Sequence, residues 1–315
     1  MMKAFALDAF GEQGSVRDLP VPEPEQGQIR LRVAAAGLNP FDVAVVQGFV
    51  KDQMEHRFPL VPGMDASGTV DAVGEGVEGF AVGDEVFGAV GKPFLGEGTL
   101  AEFVAVSAGT VTPKPSTLDH TVAAAIPTAG VTALNMADAL QLAEGQTVVA
   151  VGATGGVGSY FIQLASRRGA RVVAVCSGDN ADYARGLGAV DVIDYAAGDV
   201  AEEVRSRYPD GIDAVADMHG DGEQLAALTE QVSSGGRVAS IVGAADVDAL
   251  GARGVEATNI QGRVTTASLD VLVGMLEAGE LVAPEIRAYP LADAGEALAA
   301  VGTSHIRGKL VLALQ

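Results

Sequence analysis

The sequence predicts an α/β protein: a doubly wound parallel sheet with a second, barrel-like β module. Three observations predict it. The run Thr147-Val-Val-Ala-Val is β-branched and stops at Gly152; a glycine turn follows, and then Val157, Phe161, Ile162 and Leu164 recur at helical spacing. That order is buried strand, tight turn and helix start, the opening of a nucleotide-binding βαβ unit. From about residue 116 onward, strand-like and helix-like segments alternate, as a doubly wound sheet requires. Ahead of that point, residues 63–91 carry short apolar runs punctuated by Gly68, Gly74, Gly76, Gly79, Gly83 and Gly88, the texture of a compact all-β module.

In chain order, Ala4-Phe-Ala-Leu7 reads as a short strand, and Pro20, Pro22 and Pro24 as loop or sheet edge. Gln28 to Val33 alternates apolar with polar and predicts a half-buried strand; Leu100 to Val106 predicts another. Ser116 opens an alanine-rich helical region that runs to Leu142. Strands are expected near 147–152, 171–176, 190–193, 213–217 and 237–242, with helices between them, then a helix from Ser268 to Ala278 and a last strand from Lys309 to Leu314. There is no internal repeat and no low-complexity linker. The 315 residues suit two domains. The expected division is a discontinuous β-rich domain, 1–120 with 266–315, and an inserted nucleotide-binding domain, 121–265.

With 48% apolar and 19% charged residues, the chain has a globular balance rather than a disordered one. A net charge of −21 repels phosphate backbones and anionic lipid, so neither nucleic acid nor a membrane is an expected partner. The lone Cys176 excludes an intrachain disulfide and every multi-cysteine zinc site. Asp8 interrupts the N-terminal apolar run too early for a secretory signal, and Val122 to Ala137 carries Pro127, so a cytoplasmic protein is expected. His56, His120, His219 and His305 show no metal-ligand spacing and read as surface or loop residues.

The turn Ala153-Thr154-Gly155-Gly156-Val157-Gly158 is the candidate cofactor cradle. Its small residues let a diphosphate approach backbone N–H groups, and the helix start behind it supplies partial positive charge without a lysine. Ala153 stands where the fingerprint's first glycine would be, and such turns also occur for packing alone.

With these pieces located, the chain resembles the medium-chain dehydrogenase/reductase superfamily, in its zinc-free, quinone oxidoreductase-like branch. The resemblance runs through Ala35-Ala-Gly-Leu-Asn-Pro-Phe-Asp42, Pro59 to Gly68, Val82 to Gly88, Gly152 to Gly158, Leu187-Gly-Ala189, Asp194-Tyr195 and Gly308-Lys-Leu-Val311. It implies a GroES-like β-barrel catalytic domain and a Rossmann domain, with the active site in the cleft between them. The superfamily's zinc enzymes have a cysteine where Asn39 stands and a histidine where Met64 stands; neither replacement is a zinc ligand. The resemblance therefore implies hydride transfer to an acceptor that is already electrophilic, a quinone or an enone, with the nicotinamide cofactor supplying the chemistry.

Cys176 ends the second strand, where NAD-using folds place an acid on the ribose hydroxyls. Losing that carboxylate permits a 2′-phosphate, and so NADPH is the expected cofactor. Ser177 and Tyr195 are the candidate phosphate partners, with Arg185 further along the next helix and Asp179 as a counter-signal. Cys176 itself equally suits a small buried hydrophobe. For the reacting end, the resemblance implies Asn39 and Asp42 facing the nicotinamide, Asn39 donating to the substrate carbonyl, Thr132 bonding near the carboxamide, and Val242-Gly243 giving backbone contacts. Asn-Pro followed by Asp is also an ordinary helix-cap pattern, and Thr132 also suits bonding within its own helix. Many relatives have a tyrosine where Val50 stands. Without it, a proton comes from water, from Lys51 or His56, or not from the protein.

The expected activity is NADPH-dependent, zinc-independent reduction of a small electrophile. An enoyl or 2-alkenal reductase and a non-catalytic NADPH-binding redox sensor are the alternatives. A homodimer through the edge of the nucleotide domain, near Val264, is also expected from the resemblance.

Overall fold

The computed structural model describes residues 1–303 and 305–314. The chain separates into two compact units, one of residues 1–131 with 264–315 and one of residues 132–263.

The first unit opens with β1 (Met2–Ala6), β2 (Ser15–Leu19), β3 (Gln28–Gly37), α1 (Pro40–Gln47), β4 (Glu55–Val61), β5 (Asp65–Val73), β6 (Glu85–Ala89), β7 (Phe94–Glu97), β8 (Phe103–Ser107), β9 (Val111–Pro113), α2 (His120–Ala124) and the start of α3 (Pro127–Leu140). β3 is its spine. The strand bonds antiparallel to β5 along its length and to β8 over Gln28–Arg32. The alternation of Ile29, Leu31 and Val33 is the buried face that the sequence predicts. The strand does not stop at Val33, however. It continues through Ala34-Ala-Ala-Gly37, buried on both faces, because α2 lies across it: a Cβ on Gly37 would sit 2.1 Å from the Ala124 carbonyl oxygen. Only small residues allow that approach.

The same contact explains two further departures from expectation. α2 packs on β3 and β5, so the first unit extends to residue 131 rather than to residue 120. The helical region from Ser116 to Leu142 is two helices, since Pro127 has no N–H to continue a helix and instead opens α3.

The second unit contains β10 (Thr147–Val151), α4 (Gly156–Arg167), β11 (Arg171–Cys176), α5 (Ala181–Gly186), β12 (Asp191–Asp194), α6 (Val200–Arg207), β13 (Ile212–Asp217), α7 (Gly222–Thr229), β14 (Val232–Ser240), α8 (Val247–Ala252) and β15 (Glu256–Asn259). Its six strands are all parallel in the order β12-β11-β10-β13-β14-β15. The order reverses between β10 and β13, so a crevice opens outside the carboxyl ends of those two strands. Buried on both faces, β10, β11 and β13 are nearly continuous in Val, Ile and Ala.

The chain then returns to the first unit as α9 (Thr266–Glu277), β16 (Ile286–Pro290), α10 (Ala294–Gly302) and β17 (Lys309–Ala313). β17 pairs antiparallel with the end of β3, through Ala35, Ala36 and Gly37, and completes a sheet of order β16-β17-β3-β5-β6-β9. Val264, read as dimer surface, is instead buried in its own chain at 8% exposure. No described helix is long and apolar enough to cross a membrane.

Candidate functional site

Two constellations gather the chemistry, one in each unit. In the 132–263 unit, β10 ends at Gly152, whose φ of +75° turns the chain sharply. Ala153 is fully buried and donates its N–H to the Val175 carbonyl, fastening the turn to β11. Gly155 is the N-cap of α4 and offers no capping side chain, so the first bond of the helix is Ser159 N–H to Gly155 oxygen. The N–H groups of Gly156, Val157 and Gly158 therefore have no acceptor within the helix. A Cβ on Gly158 would lie 2.4 Å from the Gly152 oxygen, whereas one on Gly155 would meet nothing closer than 3.5 Å. Gly158 is thus required for packing, and Gly155 leaves open space in front of the donors, which is how a diphosphate cradle is built.

At the end of β11, Cys176 is 2% exposed, and burial pushes its thiol up to about 11, so it is neutral. Beside it, Asn180 Nδ2 donates to Ser177 Oγ at 3.0 Å and to Thr154 Oγ1 at 3.4 Å, linking this edge to the glycine turn with uncharged groups. Tyr195 is 45% exposed and donates its N–H to the Cys176 oxygen. One acid was missed by sequence reasoning. Asp194, paired in register with Cys176, lies so close to Gly178 that a Cβ there would be 2.7 Å from Asp194 Oδ2. Its other oxygen accepts the Ala196 N–H, closing a turn. Arg185 is paired with Asp182.

Asp217 organises the carboxyl edge. It is fully buried at the end of β13, where Oδ1 accepts the N–H groups of His219 and Gly220 and Oδ2 accepts the Ser240 hydroxyl. Ser240 Oγ in turn accepts the N–H groups of Val242 and Ala244. The loop carrying Val242 and Gly243 is therefore tied down from below, with Val242 half exposed. Thr132 is 6% exposed, and its hydroxyl stands close against Gly262.

In the other unit, Asn39 and Pro40 start α1 as cap and first residue, and Asp42 Oδ2 accepts the Asn39 N–H at 2.8 Å. The capping reading of Asn-Pro-x-Asp is thus realised, but by Asp42; the Asn39 side chain is left for other partners. Its Nδ2 donates to Asp65 Oδ2 at 3.0 Å, and its Oδ1 accepts Lys309 Nζ at 2.7 Å. These two partners fix which end of the amide is which. Lys309 also donates to the Leu38 carbonyl, and Asp65 accepts the N–H and hydroxyl of Thr128 at the start of α3. Two carboxyl groups and one ammonium thus share a site that excludes water. Burial raises Asp42 to about 7, opposed by its bond from Asn39 N–H, and raises Asp65 as well. Burial lowers Lys309, opposed by the two carboxylates. Sequence reasoning found Asn39 and Asp42 but not Asp65 or Lys309, although both lie in segments that carry the family resemblance.

Of the loop aromatics, Phe41 and Phe94 line one cavity together with Asp42, and Phe58 lines a different groove. Phe49 is exposed. Val50 and Met64 pack with Leu7, Val45 and Leu60. Lys51 is exposed, and His56 Nδ1 is bonded to the Met54 carbonyl.

Comparison with known proteins places these features. Residues 25–116 match the alcohol dehydrogenase GroES-like domain model, and residues 187–312 match the zinc-binding dehydrogenase model. A mitochondrial NAD(P)H oxidoreductase of Bos taurus is 32% identical, covering 99% of this chain and 89% of the relative. A chloroplastic NADPH-dependent alkenal/one oxidoreductase of Arabidopsis thaliana is 31% identical over 99% of this chain and 79% of its own. The solved structure of a quinone oxidoreductase from Coxiella burnetii superposes with a TM-score of 0.89 at 30% identity, covering 100% of this chain and 99% of that one.

Proposed function

The chain belongs to the quinone oxidoreductase-like branch of the medium-chain dehydrogenase/reductase superfamily and is an NAD(P)H oxidoreductase, and from that premise we propose that it uses NADPH to reduce a quinone or an enone. The observation that carries the cofactor choice is the uncharged end of β11 itself, the neighbouring acid, Asp194 on β12, accepting the Ala196 N–H. Cys176 replaces the ribose-binding acid, and Ser177, Asn180 and Thr154 supply neutral hydrogen-bonding groups beside the glycine turn. Tyr195, exposed at the same edge, is a further partner for the 2′-phosphate. The dinucleotide's diphosphate is assigned to the N–H groups of Gly156, Val157 and Gly158, and its carboxamide to the loop of Val242 and Gly243 and to Thr132.

When bound, the cofactor supplies hydride. The protein's own part is to hold the acceptor and stabilise the oxygen on which charge develops. Asn39 suits that task. Lys309 and Asp65 clamp its amide, and one of its two Nδ2 protons goes to Asp65, leaving the other for an acceptor oxygen.

The cofactor assignment is tested by titrating the protein with NADPH and NADH under identical conditions. NADPH is expected to bind at least about tenfold more tightly, a difference of about 1.4 kcal/mol. Ser177→Asp, which restores an acid at this edge, is expected to reverse the order; equal affinities in the wild type remove the assignment. Reduction of 1,4-quinones and of 2-alkenals, each followed by cofactor oxidation, separates the two acceptor classes. Among the described residues the outer edge of β15 pairs with no other strand, which supports the expected homodimer; light scattering of the purified protein would test it.

A further inference from the structure

Asp42 has a feature that its capping role does not explain. Oδ2 accepts the Asn39 N–H; Oδ1 is buried with no well-formed hydrogen bond, although the nearby Gly63 N–H favours the ionised carboxyl and works against burial. The residue is 1% exposed and lines a cavity of about 80 Å³, otherwise formed by Phe41, Val45, Met54, Val61, Met64 and Leu95 among others. A buried carboxylate oxygen without a well-placed donor is costly; a carboxylic acid there has a proton to give and no acceptor for it. The protonated state suits an occupant that presents an acceptor oxygen.

The surrounding charges favour a transferable proton. Asp65 on β5 repels the Asp42 carboxylate, and Lys309 on β17 attracts it. Among the described residues, the other charged groups on the cavity wall are Lys92 and Glu97, which pair with each other, and Glu97 also pairs with Arg57, whose guanidinium lies over the Phe94 ring. Lys309 and the two acids hold one proton fewer when Asp42 is ionised, and the Lys309 ammonium remains to offset the new charge through Asn39. Burial places this exchange near neutrality, at about 7, where a group both gives up and regains a proton readily.

We propose that Asp42 is the proton donor of this site, its Oδ1–H protonating the oxygen of an acceptor whose carbonyl end enters the cavity beneath α1. The assignment rests on the reductase reading above and supplies the proton source that Val50 cannot. Once the acceptor has received hydride, it carries an oxyanion. The Asp42 O–H bond breaks, its proton forms the new hydroxyl, and the carboxylate left behind is reprotonated from solvent.

The test has a part that needs no cofactor. Infrared titration of the wild-type protein is expected to show a carboxylic acid band lost with a midpoint of about pH 7 and missing from Asp42→Asn. Binding of 2,6-dimethyl-1,4-benzoquinone to the protein alone is expected to be at least about fivefold tighter at about pH 6 than at about pH 8.5, and to lose that dependence in Asp42→Asn. Met54→Trp, which fills the cavity from another part of its wall and leaves Asp42 in place, is expected to abolish quinone binding and keep the band. With NADPH present, wild-type kcat is expected to fall about tenfold per pH unit above the midpoint, and the Asp42→Asn profile to be flat. A pH dependence of quinone binding that survives in Asp42→Asn, quinone binding unchanged by Met54→Trp, or the absence of any acid band titrating near neutrality overturns the proposal. If no quinone or enone is reduced, the reductase reading fails and the proton-donor assignment goes with it; if reduction proceeds and the Asp42→Asn profile is as steep as that of wild type, the reductase reading stands and the Asp42 assignment alone falls.

Discussion

Asp42 illustrates how one residue couples stability to pH against the usual direction for a carboxyl. Its folded value is raised from 3.8 to about 7, so the folded state binds the proton more tightly than the unfolded chain does. That contribution is complete below the unfolded value, shrinks as pH rises through 4 to 7, and is gone above the folded one. Asp42→Asn keeps an oxygen for the Asn39 N–H but cannot ionise. Relative to wild type, it is expected to gain stability between about pH 5 and about pH 8, by on the order of 1 kcal/mol or more, measured by urea denaturation at each pH. Lys309→Met has the opposite signature. It leaves Asp65 and the Asn39 oxygen without their cation, and is expected to cost about 3–5 kcal/mol at neutral pH, less at low pH where the acids are neutral. Asn39 and Asp42 were named on the family resemblance, and their cap pattern was legible because it is local. Lys309 was not, because an isolated lysine opening a terminal strand looks like an exposed residue. Its burial is decided by Leu38 and Asn39, some 270 positions earlier in the chain.

Among the elements, the β10 turn into α4 separates two uses of glycine that the sequence cannot distinguish. Gly158→Ala forces a methyl group against the Gly152 oxygen and the Ala153 backbone, and is expected to lower Tm by more than about 4 °C along with cofactor affinity. Gly155→Ala adds its methyl to open space in front of the helix N–H groups. It is expected to leave Tm within about 2 °C of wild type yet weaken NADPH binding about tenfold, by calorimetry. The central strands β10, β11 and β13 were readable because double burial demands runs of Val, Ile and Ala. Elements that depend on a neighbour were not. β2 and β4 are mostly exposed and have no apolar alternation to betray them. The extension of β3 to Gly37 was hidden in an alanine run whose reason, the α2 carbonyl above it, lies far along the chain.

For the whole molecule, the net charge of −21 opposes capture of an anionic dinucleotide. Within the cradle, backbone dipoles act over a few ångströms, whereas the repulsion acts at long range and is screened beyond about 10 Å in 0.1 M salt. Association with NADPH is therefore expected to speed up as salt rises from about 10 to about 150 mM, with a smaller change in dissociation, as stopped-flow fluorescence would show.

The bond from β17 to Asn39 also sets an order on how the molecule is made. The nucleotide unit, residues 132–263, has emerged from the ribosome before Lys309 is synthesised. Until that lysine arrives, Asp42 and Asp65 face each other with no cation, and the far edge of β3 waits for its last partner. A nascent chain can thus hold a complete 132–263 unit while the cluster of Asn39, Asp42 and Asp65 is still unlocked. The enzyme is expected to gain the capacity to hold a dinucleotide before it gains the capacity to spend it.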